Sequence, residues 1–272
     1  MSEPNIKYVT TAQGPMLTLT NDAYVGVALA KYGEYGAAEQ MFFKFASRGG
    51  AAIDCGANLG AHSLFMARNF SSVYAFEPQE LIFRLLCANL AGYNNAYPIR
   101  ACVGNTDTVI SMPVLDYGAL NNFGGFGKYL KDVPESVPRT DVQVRMLDHI
   151  APIMAEQQID LVKIDVEGME SEVIEGAMAL IDKFKPTLYV ENDKPERSSE
   201  LLRLIYNLDY RAWWHVTQLY NEKNFRGSQE NLYGNTSSFN LICLHKDSIL
   251  KVDSSYLPCT PENPYVPEGC TV

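Results

Sequence analysis

The segment AAIDCGANLGAHSLFMA, residues 51–67, decides the fold. A short apolar run ends at Asp54, and a turn that contains Gly56 and Gly60 leads into an amphipathic segment. Glycines in such a turn let the backbone approach a ligand closely and enter a helix sharply. The segment therefore predicts a β-strand, a ligand-binding turn and a helix, in that order.

Strand and helix patterns alternate along the rest of the chain. Further strands are predicted over residues 73–77, 96–104, 160–166 and 186–193, and helices over 60–68, 79–91, 169–181 and 198–207. Such alternation predicts an α/β fold with an open, mostly parallel sheet covered by helices on both faces. Near the end, residues 211–216 and 239–245 read as strands without a strong helix between them, which predicts an antiparallel pair.

The predicted domain organisation has three parts. Residues 1–50 form an N-terminal extension that packs on the core, residues 51–250 form the main domain, and residues 251–272 are a proline-rich tail. Cys259 and Cys270 both lie in this tail and could pair, or remain free thiols, as a reducing compartment would favour. The cysteines form no CxxC pair, which argues against a structural zinc site.

Composition narrows the range of partners. The 272 residues carry a formal net charge of -10 and no basic stripe, so nucleic acid is not expected to be a partner. The sequence has no apolar run long enough to span a membrane, and no membrane partner is expected. The first residues lack a charged-then-apolar signal region, so we expect a cytoplasmic protein. A homo-oligomer is left open.

Four of the predicted strands have an acidic residue at or near their carboxyl end. The acids are Asp54, Glu77, Asp165 and Glu191. In an open parallel sheet, ligands bind beyond the carboxyl ends of the strands, where the strand order switches. These acids are therefore the first candidates for a functional site.

The glycine-bearing turn differs from a dinucleotide-binding turn. Asn58 stands where the GxGxxG pattern needs its second glycine, and a side chain there crowds a pyrophosphate. Glu77, followed by Pro78, ends the next strand and can accept hydrogen bonds from both hydroxyls of a ribose. A ribose without a pyrophosphate points to S-adenosylmethionine as the cofactor.

Several successive motifs resemble those of the FkbM family of S-adenosylmethionine-dependent methyltransferases. They are IDCGANLGAHSLFMA (53–67), VYAFEPQ (73–79), NFGG (122–125), LVKIDVEGMESEVIEGA (161–177) and PTLYVEND (186–193). The resemblance implies a class I methyltransferase, Rossmann-like sheet of seven mostly parallel strands with one antiparallel strand. It also implies O-methylation of a hydroxyl, on a sugar, a glycan or another polyhydroxy small-molecule acceptor.

The same resemblance implies a set of cofactor-binding residues. The methionine end of S-adenosylmethionine would lie against Asp54, Gly56, Asn58 and Gly60, with His62, Ser63 and Asp165 close to it. Glu77 and Pro78 would hold the ribose, and residues 103–105 would lie near the adenine.

Transfer of a methyl group to a hydroxyl needs a base, an electrophile that stabilises the alkoxide, or both. Asp165 and Glu191 end two strands expected to be neighbours, so with Asn192 they could bind Mg²⁺ or another divalent cation. This resembles the magnesium site of catechol-type methyltransferases, although Glu191 stands where those enzymes have Asp. The alternative is metal-free base catalysis by His215, predicted at a strand end beside aromatic residues.

Other interpretations stay open at this stage. Glu167 could contact substrate or simply favour the N-terminus of a helix. The aromatic segments 121–129 and 219–227 are either acceptor-binding loops or ordinary surface loops. A non-catalytic cofactor-binding scaffold and an NAD-dependent oxidoreductase are the alternative functions. Asn58, and the lack of an evident hydride-transfer constellation, disfavour the oxidoreductase.

Overall fold

The structure is a computed structural model that describes residues 3–125, 133–134 and 136–264. Its strands are β1 Ile6–Thr11, β2 Gly14–Leu19, β3 Ala51–Cys55, β4 Val73–Phe76, β5 Ala96–Ile99, β6 Cys102–Val103, β7 Thr108–Pro113, β8 Arg139–Arg145, β9 Ile159–Ile164, β10 Thr187–Glu191, β11 Tyr210–Gln218, β12 Ser237–His245 and β13 Pro258–Cys259. Its α-helices are α1 Val25–Lys31, α2 Ala37–Ala46, α3 Ala61–Asn69, α4 Glu80–Leu90, α5 Ala151–Met154, α6 Glu170–Glu175, α7 Met178–Phe184 and α8 Pro195–Asn207.

The central sheet has the strand order β13-β11-β12-β10-β9-β3-β4-β5. The neighbours from β10 to β5 are parallel, whereas β12 runs antiparallel to both β10 and β11. This confirms the predicted α/β sheet, with one antiparallel strand among the seven main strands. The short strand β13 adds an edge strand that the sequence did not predict. From β3 the chain winds outward through β4 to β5 and later returns to β9 on the other side, so the switch point lies between β3 and β9.

Both faces of the sheet are buried. On one face Ile53, Val162 and Leu188 pack with residues of α6, α7 and α8. On the other face Leu161 and Tyr189 pack against α2 and α3. Every residue of β9 is buried, which explains why a parallel central strand reads as a nearly continuous apolar run.

Two predicted elements are divided in the structure. The strand predicted over 96–104 ends at Ile99, and β6 leaves the central sheet to pair with β8 in a separate sheet of order β6-β8-β7. The helix predicted over 169–181 is interrupted at Gly176, where an added Cβ would lie 2.0 Å from the carbonyl oxygen of Gly104. Close backbone packing, rather than local helical preference, decides that break.

Residues 3–50 form the hairpin β1–β2 and the helices α1 and α2. The tail is described as far as residue 264, and its Cys259 is a buried free thiol, whereas Cys270 lies outside the described residues. In the described part of the chain, no helix combines the length and apolar character that crossing a membrane requires.

Candidate active site

The turn after β3 presses against the end of β9. Gly56 has a φ of 81°, and an added Cβ would lie 1.8 Å from the carbonyl oxygen of Asp165. Asn58 is also left-handed, with a φ of 51°, and its side-chain oxygen accepts a hydrogen bond from the backbone N–H of Leu59. Gly56 was predicted to let a ligand approach the backbone closely. In the structure it lets the backbone after β3 pack against the backbone after β9.

A buried lysine joins the acids beneath this turn. Lys163 Nζ lies 3.1 Å from Asp54 Oδ1 and 3.3 Å from Asp165 Oδ2, and it donates to the carbonyl oxygen of Gly56 at 3.2 Å. Burial by itself lowers the pKa of Lys163, but the charges of Asp165 and Asp54 outweigh it and hold the pKa above its ordinary value. The ammonium therefore stays charged and fixes the two carboxylates.

Asp54 does not line a cavity. It is fully buried, and its other carboxylate oxygen accepts a hydrogen bond of 2.6 Å from the Ser63 hydroxyl. The predicted contact of Asp54 and Ser63 with cofactor is therefore replaced by a supporting position under the turn. Gly60 ends the turn with a φ of 87° at the start of α3 and lines neither of the two cavities described below.

Glu77 directly follows β4 and lines the first cavity described below. Its carboxylate accepts hydrogen bonds from the backbone N–H groups of Gln79, at 2.8 Å, and Asn58, at 3.1 Å. Burial raises the pKa of Glu77 to about 7, although these hydrogen bonds act in the opposite direction. A group that donates further hydrogen bonds to this carboxylate would stabilise its ionised form.

A cavity of about 500 Å³, here called cavity A, opens at the switch point. Gly56, Glu77, Pro78 and Asp165 line it, which brings together four residues of the predicted cofactor set. Its apolar wall includes Val103, Ile110 and Met112. Of the residues predicted near the adenine, only Val103 lines this cavity among the described residues, since Gly104 packs against Gly176 and the Asn105 side chain bonds to Glu175.

A second cavity of about 230 Å³, here called cavity B, adjoins the first. The two cavities share Gly124, Asp165 and Glu167 in their walls. Gly124 belongs to the predicted aromatic segment 121–129, and Gln79 Nε2 holds this segment by donating to the carbonyl oxygen of Phe123 at 2.7 Å. Residues 126–129 of that segment lie outside the described residues.

The acids Asp165, Glu167 and Glu191 meet in the wall of cavity B, each offering an oxygen within 4.8 Å of the others. Burial, and then the negative charge of Asp165, raises the pKa of Glu167 to about 7. Burial and the charges of Asp165 and Glu167 raise the pKa of Glu191 well above its ordinary value. Glu167 has a φ of 59°, an uncommon conformation for a residue with a side chain.

The residues around this cluster fit a divalent metal poorly. Lys194 Nζ already lies 3.6 Å from Glu167 Oε2 and 3.8 Å from Glu191 Oε2. Asn192, the third predicted ligand, donates its amide to Ser198 of α8 at 2.8 Å. An ammonium thus partners two of the three acids, and we derive no step that uses a metal.

His62 and Glu39 form a buried pair beside this cluster. His62 Nε2 lies 2.9 Å from Glu39 Oε2, and both residues line cavity B. The sequence placed His62 among the cofactor ligands, whereas the structure places it at cavity B and not in the wall of cavity A. Asn58 was placed with it and also lines cavity B.

His215 does not occupy the predicted position. It lies within β11 rather than at its end, and its Nδ1 lies 2.8 Å from the hydroxyl of Tyr189. Burial lowers the pKa of His215. It faces a third cavity of about 790 Å³, cavity C, and lines neither cavity A nor cavity B.

Sequence reasoning missed Glu39 and passed over Lys163. Lys163 could have been found, because a lysine inside an apolar strand needs buried acidic partners. Glu39 carried no local signal, since it lies in the extension and meets the site only through folding. The segment 219–227 contributes Leu219, which cavities B and C share.

A doubly wound sheet of seven main strands, in which the antiparallel strand β12 lies between β10 and β11, fits a class I methyltransferase fold. The sequence model of the methyltransferase FkbM domain matches residues 54–212. This is more than half of the chain, and the protein belongs to the FkbM methyltransferase family.

One curated relative shares low sequence identity with this chain. Methyltransferase sdnD from Sordaria araneosa is 26% identical over 152 residues, which cover 46% of this chain and 59% of that protein. The chain thus matches less than two thirds of the length of this curated relative.

Solved structures are also similar at low identity. The FkbM methyltransferase from Methylobacillus flagellatus KT has 16% identity and a TM-score of 0.45, covering 72% of this chain and 44% of that one. M. jannaschii TYW2 in complex with AdoMet has 12% identity and a TM-score of 0.42, covering 90% and 87%. At these values the likeness carries no further weight, and the fold assignment rests on the sheet order.

Proposed function

We propose that the protein is an S-adenosylmethionine-dependent O-methyltransferase that acts on a hydroxyl of a sugar, a glycan or another polyhydroxy small molecule. The observation that carries the proposal is the junction of cavities A and B at Gly124, Asp165 and Glu167. A donor in one cavity and an acceptor in the other can react only where the two cavities meet.

The residues of cavity A fit S-adenosylmethionine. Its volume of about 500 Å³ lies within the range of cofactor pockets. The carboxylate of Glu77 suits the two ribose hydroxyls, and the apolar wall with Val103 and Met112 suits a purine. Asn58 leaves no glycine for a pyrophosphate, which this cofactor lacks.

The charges at the junction also suit this cofactor. When bound, S-adenosylmethionine supplies an electrophilic methyl group on a positively charged sulfur. The carboxyl groups of Asp165, Glu167 and Glu191 meet at the junction beside the ammonium groups of Lys163 and Lys194. Burial and the proximity of these acids raise the pKa values of Glu167 and Glu191, and a bound cation would favour their ionised forms.

The lining of cavity B supports a hydroxylated acceptor. Beside its acids it presents Asn58, Thr236 and Ser237, which are polar groups that hydrogen-bond to hydroxyls. About 230 Å³ is room for a single small ring, and cavity C provides space for a larger acceptor to extend past Tyr35. The net charge of -10 makes a nucleic acid an unsuitable acceptor.

Calorimetric titration with S-adenosylhomocysteine, and separately with NAD⁺, tests the cofactor. We expect micromolar binding of S-adenosylhomocysteine and a large loss in Glu77→Ala. The matched control is Glu80→Ala, since Glu80 begins α4 on the exposed surface and pairs there with Arg84. Binding of NAD⁺ in its place would replace the proposal by the oxidoreductase alternative.

The acceptor is then sought by release of S-adenosylhomocysteine in a panel of glycosides and polyols, each with and without EDTA. Asp165→Ala is the decisive variant for the scaffold alternative. If it folds and binds S-adenosylhomocysteine but has lost turnover that the wild type shows, a purely non-catalytic role is excluded.

A further inference from the structure

We propose that His62 is the general base that removes the proton from the acceptor hydroxyl, and that Glu39 is the residue that positions it. This inference rests on the proposed methyl transfer. It assigns the proton-accepting group, for which the sequence had offered His215 as the alternative to a metal that activates the hydroxyl.

The His62 ring is held at its Nε2 by Glu39. His62 Nε2 lies 2.9 Å from Glu39 Oε2, and both side chains are more than nine-tenths buried. Gly36 closes over the pair, since an added Cβ there would lie 2.3 Å from His62 Cε1 and 2.9 Å from Glu39 Oε2. The rings of Tyr35 and Phe43 flank the imidazole, with centroid distances of 5.8 Å and 5.3 Å.

Glu39 is itself held by two strands of the sheet, β11 and β12. Its other oxygen, Oε1, accepts hydrogen bonds from Asn240 Nδ2 at 3.2 Å and from the Thr217 hydroxyl at 3.3 Å. Burial raises the pKa of Glu39, but the hydrogen bond and charge of His62 outweigh it and lower the pKa to about 2. The carboxylate is therefore ionised and can only accept hydrogen bonds.

An acceptor-only carboxylate fixes the tautomer of the histidine. Nε2 must carry the proton that Glu39 accepts, so in the neutral ring Nδ1 carries the free lone pair. Nδ1 is buried and has no hydrogen-bond partner among the residues that the structure describes. A buried nitrogen left without a partner costs free energy, and a hydroxyl bound in cavity B would supply that partner.

The proton transfer can be written in full. The hydroxyl proton moves to Nδ1 of His62 while the oxygen forms a bond to the methyl carbon. The bond from that carbon to sulfur breaks, and its electron pair stays on sulfur, which becomes a neutral thioether. His62 is then an imidazolium paired with Glu39, and it returns the proton to solvent after the products leave.

Other titratable groups surround the pair. The titratable groups that face the His62 ring or the Glu39 carboxylate from neighbouring elements include Tyr35, Asp165, Glu167, Glu191, Asp193, His215 and Lys163. His215 is a less suitable base, because it lines neither cavity A nor cavity B and its Nδ1 is paired with the hydroxyl of Tyr189.

The deciding experiment is independent of the acceptor. Long-range ¹H–¹⁵N spectra of histidine-labelled protein saturated with S-adenosylhomocysteine at pH 8 report the tautomer of each ring, and loss of signals in His62→Gln assigns His62. We expect a single tautomer with the proton on Nε2. In Glu39→Gln we expect both tautomers, because an amide can donate as well as accept. The control Glu230→Gln changes an exposed ion pair with Lys31 and should leave the spectrum unchanged.

Two spectral results would overturn the assignment. One is a His62 ring with its proton on Nδ1, and the other is a ring protonated on both nitrogens at pH 8. Failure of the wild type to bind S-adenosylhomocysteine in the same sample would instead count against the proposed function. The two failures are therefore distinguishable.

Turnover gives the second measurement for any acceptor that the panel identifies. His62→Gln should lower kcat by about 10²–10⁴-fold with unchanged affinity for S-adenosylhomocysteine. Glu39→Gln should lower kcat less than His62→Gln does, because the ring stays in place but is no longer held in a single tautomer. Full turnover by His62→Gln would contradict the proposal, and His149→Gln, at an exposed site, is the matched control.

Discussion

The ammonium of Lys163 lies 3.1 Å from Oδ1 of Asp54, in a part of the sheet where both side chains are almost completely buried. The same ammonium reaches Asp165 at 3.3 Å. Lys163 thus connects Asp54, on strand β3, to Asp165, which lines both cavity A and cavity B. The shape of the site depends on this pair before any ligand binds.

Removal of that charge should unfold the protein readily. Lys163→Met leaves the carboxylate of Asp54 buried without its cation, and we expect a loss of about 3–5 kcal/mol in the free energy of unfolding. Urea denaturation followed by circular dichroism measures it. Lys185→Met removes an exposed partner of Asp247 and should change stability little, so equal losses would contradict the role of burial.

Gly56→Ala should abolish cofactor binding. The added methyl group would lie 1.8 Å from the carbonyl oxygen of Asp165, so the turn or the end of β9 must move. Gly49 is the matched control, because its φ of 94° is equally left-handed but nothing lies within 4 Å of an added Cβ. Gly49→Ala should cost only about 1–2 kcal/mol for its backbone conformation and keep affinity for S-adenosylhomocysteine. Equal binding by both variants would show that the close approach is unimportant.

Affinity for S-adenosylhomocysteine should fall on acidification. The pKa of Glu77 is raised to about 7, and the ionised carboxylate is the form that accepts both ribose hydrogen bonds. The ionised fraction decreases as the pH falls through 7, so binding at pH 6 should be up to about tenfold weaker than at pH 8. Calorimetry at both pH values tests this. Glu77→Gln should bind weakly at both, and a wild type without pH dependence would refute the assignment of Glu77.

Glu191→Gln should stabilise the free protein. Because the pKa of Glu191 is raised in the folded state, the folded state holds its proton more tightly than the unfolded state. Its contribution to stability is therefore full below the ordinary glutamate pKa and is lost as the pH rises. We expect a gain on the order of 1 kcal/mol at pH 8 and a smaller gain at pH 5, measured by denaturation.

Binding of a divalent cation at this cluster would instead make Glu191 stabilising. If millimolar Mg²⁺ raises the melting temperature of the wild type but not of Glu191→Gln, the predicted metal site at this cluster is supported after all. Equal melting temperatures with Mg²⁺ and with EDTA would agree with Lys194 as the partner of these acids.

The local part of the site was predictable from the sequence. The turn from Gly56 to Gly60, and Glu77 at the end of the next strand, lie within one strand–helix–strand unit, where short-range patterns determine the geometry. Asp165 and Glu191 were predicted to approach each other because parallel neighbours place their carboxyl ends together. The pairing of β9 with β10 confirms that reasoning.

Positions that depend on distant contacts were not predictable in this way. His215 was expected at a strand end, but β11 continues past it to Gln218, paired residue by residue with β12. Asn58 lies within the turn and His62 at the start of α3, yet both line cavity B rather than cavity A, which the short-range pattern did not indicate.

The sequence by itself determined the alternation of strands and helices, the family and the acids at the sheet edge, since these depend on periodicity and on chemistry within short segments. Only the tertiary structure decided which groups act together. Glu39 meets Asn240, which is 201 residues away in the chain, and Lys163 meets Asp54 across a strand pair. The charges and hydrogen bonds that folding brings together keep Glu39 and Lys163 ionised although both are buried, and these contacts belong to the folded molecule rather than to any segment of its sequence.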